Sequence, residues 1–328
     1  MNLTPTVADD SAAGEVTPSS VSSVRSRRSR RFRLRGSGGP GLRAGALPYL
    51  LVMPLVAAVG VFAVYPTALT TVGAFYEVDP LYPRHFVGLQ NFRGVFTDPT
   101  TRISLINTLV YAAVGVAGAT ILGLAVAITL RRRFRSRGLI LACVVLPWAV
   151  PSVVGAVIWG WIFDPNFGVL NGALTSAHIL NHYYVWLGLH RFLTVVLIEV
   201  VQIWQIAPIS ALIILAALQS IPAQLYEAAL VDGAGPWRTF RRVTIPLIRP
   251  ALALSCVQAL VLSLNIFDQV YVLNYDATSG SSLMLKTYVD TFSDLNFGQG
   301  YALSLTATLL TVVFTVTLLG LIYRRVSY

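Results

Sequence analysis

The sequence predicts an all-α membrane protein, and three observations support this fold class. Of the 328 residues, 55% are hydrophobic and only 12% are charged, about half the charged share of soluble proteins. The apolar residues form six long blocks, and each block has at least the ~20 residues that a helix needs to cross a bilayer. The basic residues lie in short runs between the blocks. We therefore predict six transmembrane helices.

The N-terminal region, residues 1–44, is predicted to be a disordered cytoplasmic tail because it is rich in Ser, Gly and Arg. Its segment SRRFRL, residues 29–34, is similar to a twin-arginine export signal. The apolar block that follows is too long for a signal peptide and has no small-x-small cleavage site. We therefore expect this block to remain as the first helix of a membrane domain over 45–328.

The six predicted spans share a scarcity of charge. Glu199 is the only charged residue inside the fourth span, and Asp268 is the only one inside the fifth, apart from Arg249 at its boundary. The other four spans contain none. The predicted spans are 47–72, 104–130, 138–163, 192–218, 249–272 and 302–323.

The distribution of basic residues predicts the orientation of the spans. Nineteen of the twenty-four Lys and Arg residues lie in the tail, in the loop 131–137, in the stretch 238–249 and at the C-terminus. Because the excess of basic residues marks cytoplasmic segments, both termini and these two segments are predicted to be cytoplasmic. The three longer loops are predicted to face outward.

Several function classes lack their sequence signatures. The net charge of +10 comes from arginines beside apolar blocks, which is not the pattern of a nucleic-acid-binding module. There is no GxxxxGK[ST] loop and no supported catalytic triad or carboxylate pair, so we expect no catalysis by this chain. His178 and His182 have i, i+4 spacing but no third ligand nearby, so no metal site is predicted. Cys143 and Cys256 are interpreted as packing residues.

The stretch 219–247 is unusually polar for a segment between two apolar blocks. Its sequence AQLYEAALVD is a good helix former, and Gly233 can adopt the positive φ that commonly ends a helix. Pro236 suits the first position of a second, basic helix. The stretch could lie on anionic lipid as an amphipathic helix, but the acidic Glu227 and Asp232 favour docking to a cytoplasmic protein.

Two predicted spans carry polar side chains at helical spacing. Such groups usually face a bundle interior or an aqueous path, and the alternative is that they form hydrogen bonds between helices. We expect them to line a solute path. The candidates are Glu199, Gln202 and Gln205, on a stripe that Pro208 is expected to interrupt, and Ser263, Asn265 and Asp268 in the fifth span.

Several motifs together resemble the MalF-type carbohydrate-uptake permeases of bacterial ATP-binding-cassette (ABC) importers. EAALVDGA followed by VTIPL is similar to the EAA motif of these permeases. FVGLQNF, NTLVYA, LPWAVPSVVGAVIWGWIF and IFDQVYVL are similar to the family in order and spacing, and the resemblance covers about 45–328. The chain departs from the family at VTIP, where the pattern is I-x-L-P, and after the fifth span, where a T-x-G-G-P turn is missing.

The resemblance implies the type I importer permease fold, in the cytoplasmic membrane of a bacterium. It also implies a second homologous permease subunit, two ATPase subunits and an extracytoplasmic solute-binding protein as partners. ATP and Mg²⁺ would be bound by the ATPase subunits, and no cofactor by this chain. Gln205, Asn265 and, more loosely, Asp268 are implied to contact a sugar. The residues implied to couple the chain to the ATPase are Glu227, Ala228, Ala229, Asp232, Gly233, Ala234 and Pro246.

The expected function is import of a di- or oligosaccharide, or of a related polyol or glycerol-phosphate compound. Closure of the ATPase subunits would push on the loop 219–247 and reorient the helices. One alternative is an ion-coupled secondary transporter with Glu199 and Asp268 as its proton-binding carboxylates. Another is a membrane scaffold held by an interfacial basic helix.

Overall fold

A computed structural model describes residues 47–78, 83–132, 134–274 and 278–323. The predicted N-terminal tail and the C-terminal arginines lie outside these residues. By its contacts the chain divides into one unit up to Val56 and a second from Ala57 onward. Helix α1 begins in the first unit, and the helix packing described below belongs to the second.

The first half of the chain leads into a long membrane helix. The two short strands pair antiparallel, with Tyr76 opposite Phe86. Asp98 caps the long helix by accepting hydrogen bonds from the backbone N–H groups of Thr100 and Thr101, which accounts for its start at Pro99. The elements are α1 (Leu47–Val59), a π-helical stretch (Gly60–Val64), α2 (Tyr65–Gly73), β1 (Tyr76–Glu77), β2 (His85–Phe86), α3 (Gln90–Thr97) and α4 (Pro99–Arg131).

The third predicted span is broken in the middle. Helices α5 (Arg137–Ala149) and α6 (Ser152–Ile162) are bent by 98° relative to each other, so the prediction of one continuous helix over 138–163 is wrong. Pro151 has no backbone N–H and disfavours helical backbone at the preceding residue. Val150 accordingly has extended backbone angles, and α5 ends before it.

The fourth predicted span is a single helix. After α7 (Val169–Ser176), helix α8 (Arg191–Ser220) runs without interruption through Pro208. The expectation that this proline interrupts the polar stripe is therefore wrong. The stripe ends because Gln205 is the last of its polar side chains, not because the backbone changes.

The fifth predicted span, 249–272, is also not continuous. Helix α12 ends at Leu264, and the next helix begins at Asp268. The carbonyl of Val261 accepts hydrogen bonds from both the backbone N–H (3.2 Å) and the side-chain amide (2.8 Å) of Asn265, so this residue caps the end of α12. The elements of this part are α9 (Ala223–Val231), α10 (Pro236–Thr239), a π-helical stretch (Phe240–Thr244), α11 (Ile245–Leu247), α12 (Arg249–Leu264), α13 (Asp268–Asn274), a 3₁₀ turn (Thr278–Gly280), α14 (Leu283–Tyr288), a π-helical stretch (Val289–Ser293) and α15 (Phe297–Tyr323).

Helices α4 and α8 pack closely against each other, and α12 packs against both. A Cβ added at Gly123 would lie 2.8 Å from Cβ of Ser210 and 2.9 Å from the backbone nitrogen of Ala211. Small residues allow this approach of two helix backbones inside a membrane. The buried small residues that recur every four positions on α4 are Gly115, Ala119, Gly123 and Ala127.

Helices α4 and α8 run in the same direction. Near their N-terminal ends, Nε of Arg191 donates a hydrogen bond to Oδ1 of Asn107 (2.9 Å). At their C-terminal ends, Arg131 and Leu218 line one cavity together with Tyr226. The stretch 219–247 therefore lies at the end of the bundle where both helices finish.

Among the described residues, four helices are each long and apolar enough to cross a membrane. Two bent helix pairs raise the number to six if each pair is one span. These pairs are Arg137–Ala149 with Ser152–Ile162, and Pro236–Leu247 with Arg249–Leu264. The count of six spans and the cytoplasmic placement of both termini stay predictions.

Candidate translocation site and coupling loop

A polar cavity of about 440 Å³ lies where two helix breaks meet the middle of α8. One break is the bend at 150–151 between α5 and α6, and the other is 265–267 between α12 and α13. In membrane proteins, broken helices are tolerated where their free backbone groups are buried in protein or face a water-filled cavity. The polar residues that line the cavity are Ser152, Gln202, Gln205, Asn265, Asp268 and Gln269.

Gln205 of α8 connects the two breaks. Its Nε2 donates a hydrogen bond to the carbonyl of Val150 (3.0 Å). Because Val150 lies in the first break, this carbonyl has no helical hydrogen-bond partner. Its Oε1 accepts a hydrogen bond from Nε2 of Gln269 (2.7 Å), which lies just past the second break. One side-chain amide of α8 therefore joins the first break to α13 and holds this part of the cavity wall.

Further hydrogen bonds hold the rest of the cavity wall. Gln202 Nε2 donates to the carbonyl of Leu262 (3.4 Å), and the Ser152 hydroxyl donates to Oδ2 of Asp268. Asn265 is exposed on this wall. Four of the six residues expected on the path, Gln202, Gln205, Asn265 and Asp268, thus line one cavity.

The structure does not bring Glu199 and Ser263 to the cavity. Both are fully buried, with the Ser263 hydroxyl 3.5 Å from Oε1 of Glu199 and both side chains against Gly115 of α4. Glu199 and Gln205 are six positions apart, which separates them by roughly 120° around a helix of 3.6 residues per turn. The expectation that Glu199 and Ser263 line the path with the others is corrected accordingly: the two form a contact between helices.

Ser152 and Gln269 are lining residues that the sequence analysis missed. Ser152 directly follows the Val150-Pro151 pair, so the rule that a proline disfavours helix at the preceding residue could have found it. Gln269 had no such signal, because the break before it contains no proline. Its place at the cavity depends on the start of α13 at Asp268.

The stretch 219–247 forms two short helices joined by a turn. Helix α9 ends at Val231, and Gly233 has a φ of +70°, as the sequence predicts. Pro236 starts α10 at the first helical position, also as predicted. We name the stretch 219–247 the coupling loop.

Tyr226 fastens the coupling loop to the rest of the bundle. The guanidinium of Arg131, at the end of α4, lies 4.1 Å from the centre of the Tyr226 ring, a cation–π contact. The Tyr226 hydroxyl lies 3.2 Å from Oγ1 of Thr244. A motion of α9 would therefore be passed to α4 and to the segment that leads into α12.

Most of the expected coupling residues are accessible. Ala229 is buried against the bundle and Ala234 is half-buried. Three large apolar side chains beside them are exposed: Leu230 by 69%, Val231 by 88% and Trp237 by 71%. Exposed apolar side chains grouped in this way mark a contact with another protein or with the membrane surface. The exposed coupling residues are Glu227, Ala228, Asp232, Gly233 and Pro246.

Comparison with known proteins decides the family. Residues 119–328 match the family model described as "Binding-protein-dependent transport system inner membrane component". The chain belongs to this family. It is thus a permease component of a transport system and a multi-pass membrane protein.

The permease is similar along most of its length to permease proteins of several named transport systems. It is 31% identical over 283 residues to the trehalose/maltose transport system permease protein MalF of Thermococcus litoralis, covering 84% of this chain and 94% of that protein. It is 33% identical over 300 residues to the sn-glycerol-3-phosphate transport system permease protein UgpA of Yersinia pestis, covering 88% and 98%. It is 29% identical over 283 residues to the sulfoquinovosyl glycerol transport system permease protein SmoG of Agrobacterium fabrum, covering 85% and 91%.

The fold of the permease is also found in a solved ABC transporter. A chain of a bacterial ABC transporter involved in the import of the acidic polysaccharide alginate is similar with a TM-score of 0.75 and 21% identity. The similarity covers 86% of this chain and 96% of that one. The predicted all-α fold of an ABC importer permease is confirmed.

Proposed function

We propose that the permease forms half of the translocation path for a di- or oligosaccharide, or for a related polyol or glycerol-linked compound. The polar cavity at the two helix breaks is the observation that carries this proposal. Its amides, hydroxyl and carboxylate can donate to and accept from several sugar hydroxyls in a fixed geometry. No Lys or Arg of the described residues lines the cavity, which favours a neutral solute. The relatives named for trehalose, maltose and glycerol-linked solutes support the same class.

A second, homologous permease subunit would provide the other half of the path. Large apolar side chains next to the cavity are exposed in this chain, including Leu146 by 59% and Trp148 by 51%. A partner subunit would cover this face and close the cavity around the solute. An extracytoplasmic solute-binding protein would deliver the solute from the outer side.

The coupling loop would dock onto one of two cytoplasmic ATPase subunits in the cytoplasmic membrane of a bacterium. Its exposed Leu230, Val231 and Trp237 provide apolar contact area, and Glu227 and Asp232 provide polar contacts around it. ATP and Mg²⁺ would be bound and used by the ATPase subunits, so this chain hydrolyses no ATP itself. Closure of those subunits would move α9 and, through Tyr226, the helices of the bundle.

Replacement of Asn265 tests the proposed path. Its side chain hydrogen-bonds only within its own helix in the described structure, so Asn265→Ala should preserve the bundle while it removes one solute contact. In proteoliposomes with the complete transporter, we expect the solute concentration for half-maximal uptake to rise about tenfold, the cost of one lost polar contact. Asn166→Ala, in an exposed loop, is the matched control. A ligand screen on the solute-binding protein supplies the solute. Equal uptake by both variants would contradict a solute contact at Asn265.

A further inference from the structure

A second polar cleft, of about 410 Å³, lies at the N-terminal ends of α4 and α15. Three of its lining residues are carboxylates, Asp98, Asp290 and Asp294, and one is a cation, Lys286. Helix α4 has 33 residues, so at a rise of about 1.5 Å per residue its two ends are roughly 50 Å apart. The acidic cleft therefore lies at the end of the bundle opposite the coupling loop, the end that the distribution of arginines predicts to face outward.

The charges in the acidic cleft do not balance. Nζ of Lys286 lies 2.5 Å from Oδ1 of Asp290 and 3.5 Å from Oδ2 of Asp98, so one ammonium is shared by two carboxylates. Asp98 is held in place by hydrogen bonds from Thr100 and Thr101. Asp294 forms no ion pair with any residue in the described part of the chain, and it is exposed at the rim.

Asp290 has an unused acceptor inside the acidic cleft. The residue is only 3% exposed, and its Oδ2 has no hydrogen-bond partner among the described residues. Burial raises the pKa of this carboxyl, and the hydrogen bond from Lys286 only partly opposes that effect. A buried acceptor without a partner is costly. A second cation in the cleft, close to this carboxyl group, would favour its ionised form.

We propose that the acidic cleft receives an arginine or lysine side chain presented by the extracytoplasmic solute-binding protein. This inference rests on the proposed function, which supplies that partner. A guanidinium carries five donors in a planar fork and pairs well with carboxylates, and the rim at Asp294 is open to such a group. An inorganic cation fits less well, because no group of three or more His, Cys, Asp or Glu residues within the described ranges is placed to hold a metal ion.

The first measurement needs no solute-binding protein. The purified permease complex is heated with millimolar L-arginine amide, with citrulline amide as its neutral isostere, or with MgCl₂, and the melting temperature is recorded. We expect arginine amide alone to stabilise the complex. Asp294→Lys should abolish this stabilisation, since it places a cation at the exposed rim. Glu77→Lys should retain it, because Glu77 is exposed in β1 and does not line the cleft.

The second measurement uses the solute-binding protein. ATPase activity is measured in proteoliposomes at low salt as binding protein is added. The concentration of binding protein that gives half-maximal stimulation should rise roughly tenfold in Asp294→Lys and about threefold in Asp294→Asn. The reason is that loss of a charge pair weakens docking. Glu77→Lys should leave it unchanged. Replacing the contacting basic residue of the binding protein by Asp should restore docking to Asp294→Lys.

The two measurements separate this inference from the proposed function. If no binding protein stimulates the wild-type complex, the proposed function fails, while the response to arginine amide still decides whether the cleft prefers a guanidinium. Equal stabilisation by citrulline amide, or stabilisation by Mg²⁺ but not by arginine amide, would overturn the inference. Equal half-stimulating concentrations for Asp294→Lys and Glu77→Lys would overturn it as well.

Discussion

The carboxyl group of Glu199 lies inside the membrane bundle with one oxygen, Oε2, that has no hydrogen-bond partner among the described residues. Its Oε1 is 3.5 Å from the Ser263 hydroxyl. No basic nitrogen of the described residues lies within ion-pair distance of the Glu199 carboxyl group. The ion pairs among these residues all involve Lys286. An ionised carboxylate is costly in such a place, so an uncharged amide of the same shape should fit equally well.

We therefore expect Glu199→Gln to preserve ATP-dependent uptake. Glu199→Ala, by contrast, should lower stability by about 1–3 kcal/mol, because it leaves a gap between α4, α8 and α12 and an unsatisfied Ser263. Uptake in proteoliposomes and thermal unfolding of the purified complex measure the two effects. Loss of uptake in Glu199→Gln with normal stability would contradict this expectation and show that transport needs the carboxyl group itself.

At this scale the sequence predicted residue types better than residue orientation. Polar side chains inside apolar spans are rare, and this rule selected Gln202, Gln205, Asn265 and Asp268, which do line one cavity. The rule could not separate Glu199 from them, since spacing of three positions rotates around the helix by about 60° at each step. Which side chain meets the cavity depends on how the neighbouring helices pack.

Among the elements, the close packing of α4 on α8 depends on Gly123. An added Cβ would overlap with the backbone of α8 at Ala211 as well as with the Ser210 side chain. Backbone atoms cannot relieve such an overlap by a change of rotamer. We expect Gly123→Ala to lower the free energy of unfolding by about 1–3 kcal/mol through overpacking. Gly320→Ala in α15 is the matched control, since a Cβ there meets no atom within 4 Å. Thermal unfolding of the two variants should differ, and equal stability would show that α8 can shift at little cost.

The turn of the coupling loop requires a residue with positive φ. Gly233 has a φ of +70° and open space around it, so Gly233→Val introduces backbone strain of roughly 1–2 kcal/mol and no steric overlap. We expect the turn to rearrange and ATP-dependent uptake to be lost, with normal amounts of protein in the membrane. Gly235→Val is the control, because Gly235 has a φ of −65° and open space. Uptake in Gly233→Val equal to that of the control would contradict a mechanical role for this turn.

The sequence predicted the helices well and their breaks poorly. Observed ends of the long helices differ from the predicted ends by only a few residues, because apolar blocks end at charged residues and caps such as Asp98. The break at 150–151 had a local signal in Pro151. The break at 265–267 contains no proline, and its chain is held by Asn265 and by Ser282, whose hydroxyl donates to the carbonyl of Ile266 (2.8 Å). A contact between residues so far apart along the chain cannot be predicted from a single sequence.

For the whole molecule, the proposed functions place two sites at opposite ends of α4, which are predicted to face different compartments. The coupling loop lies at the C-terminal ends of α4 and α8, and the acidic cleft lies at the N-terminal end of α4. The cavity between α5–α6 and α12–α13 lies against the middle of α8, between these ends. Arginine placement assigns the coupling loop to the cytoplasm, so this one assignment fixes the side on which every other site operates.

Thiol labelling tests that assignment. In a variant in which Cys143 and Cys256 are replaced by Ala, a single cysteine is placed at Asn296, beside the acidic cleft, or at Arg135, in the loop after α4. Both positions are exposed. Because α4 is roughly 50 Å long and the hydrocarbon core is about 30 Å thick, its two ends should lie in different compartments. A membrane-impermeant maleimide should label Asn296→Cys on intact cells, and Arg135→Cys only after permeabilisation. Labelling of Arg135→Cys on intact cells would show that the predicted orientation is wrong. The coupling loop could then not contact a cytoplasmic ATPase.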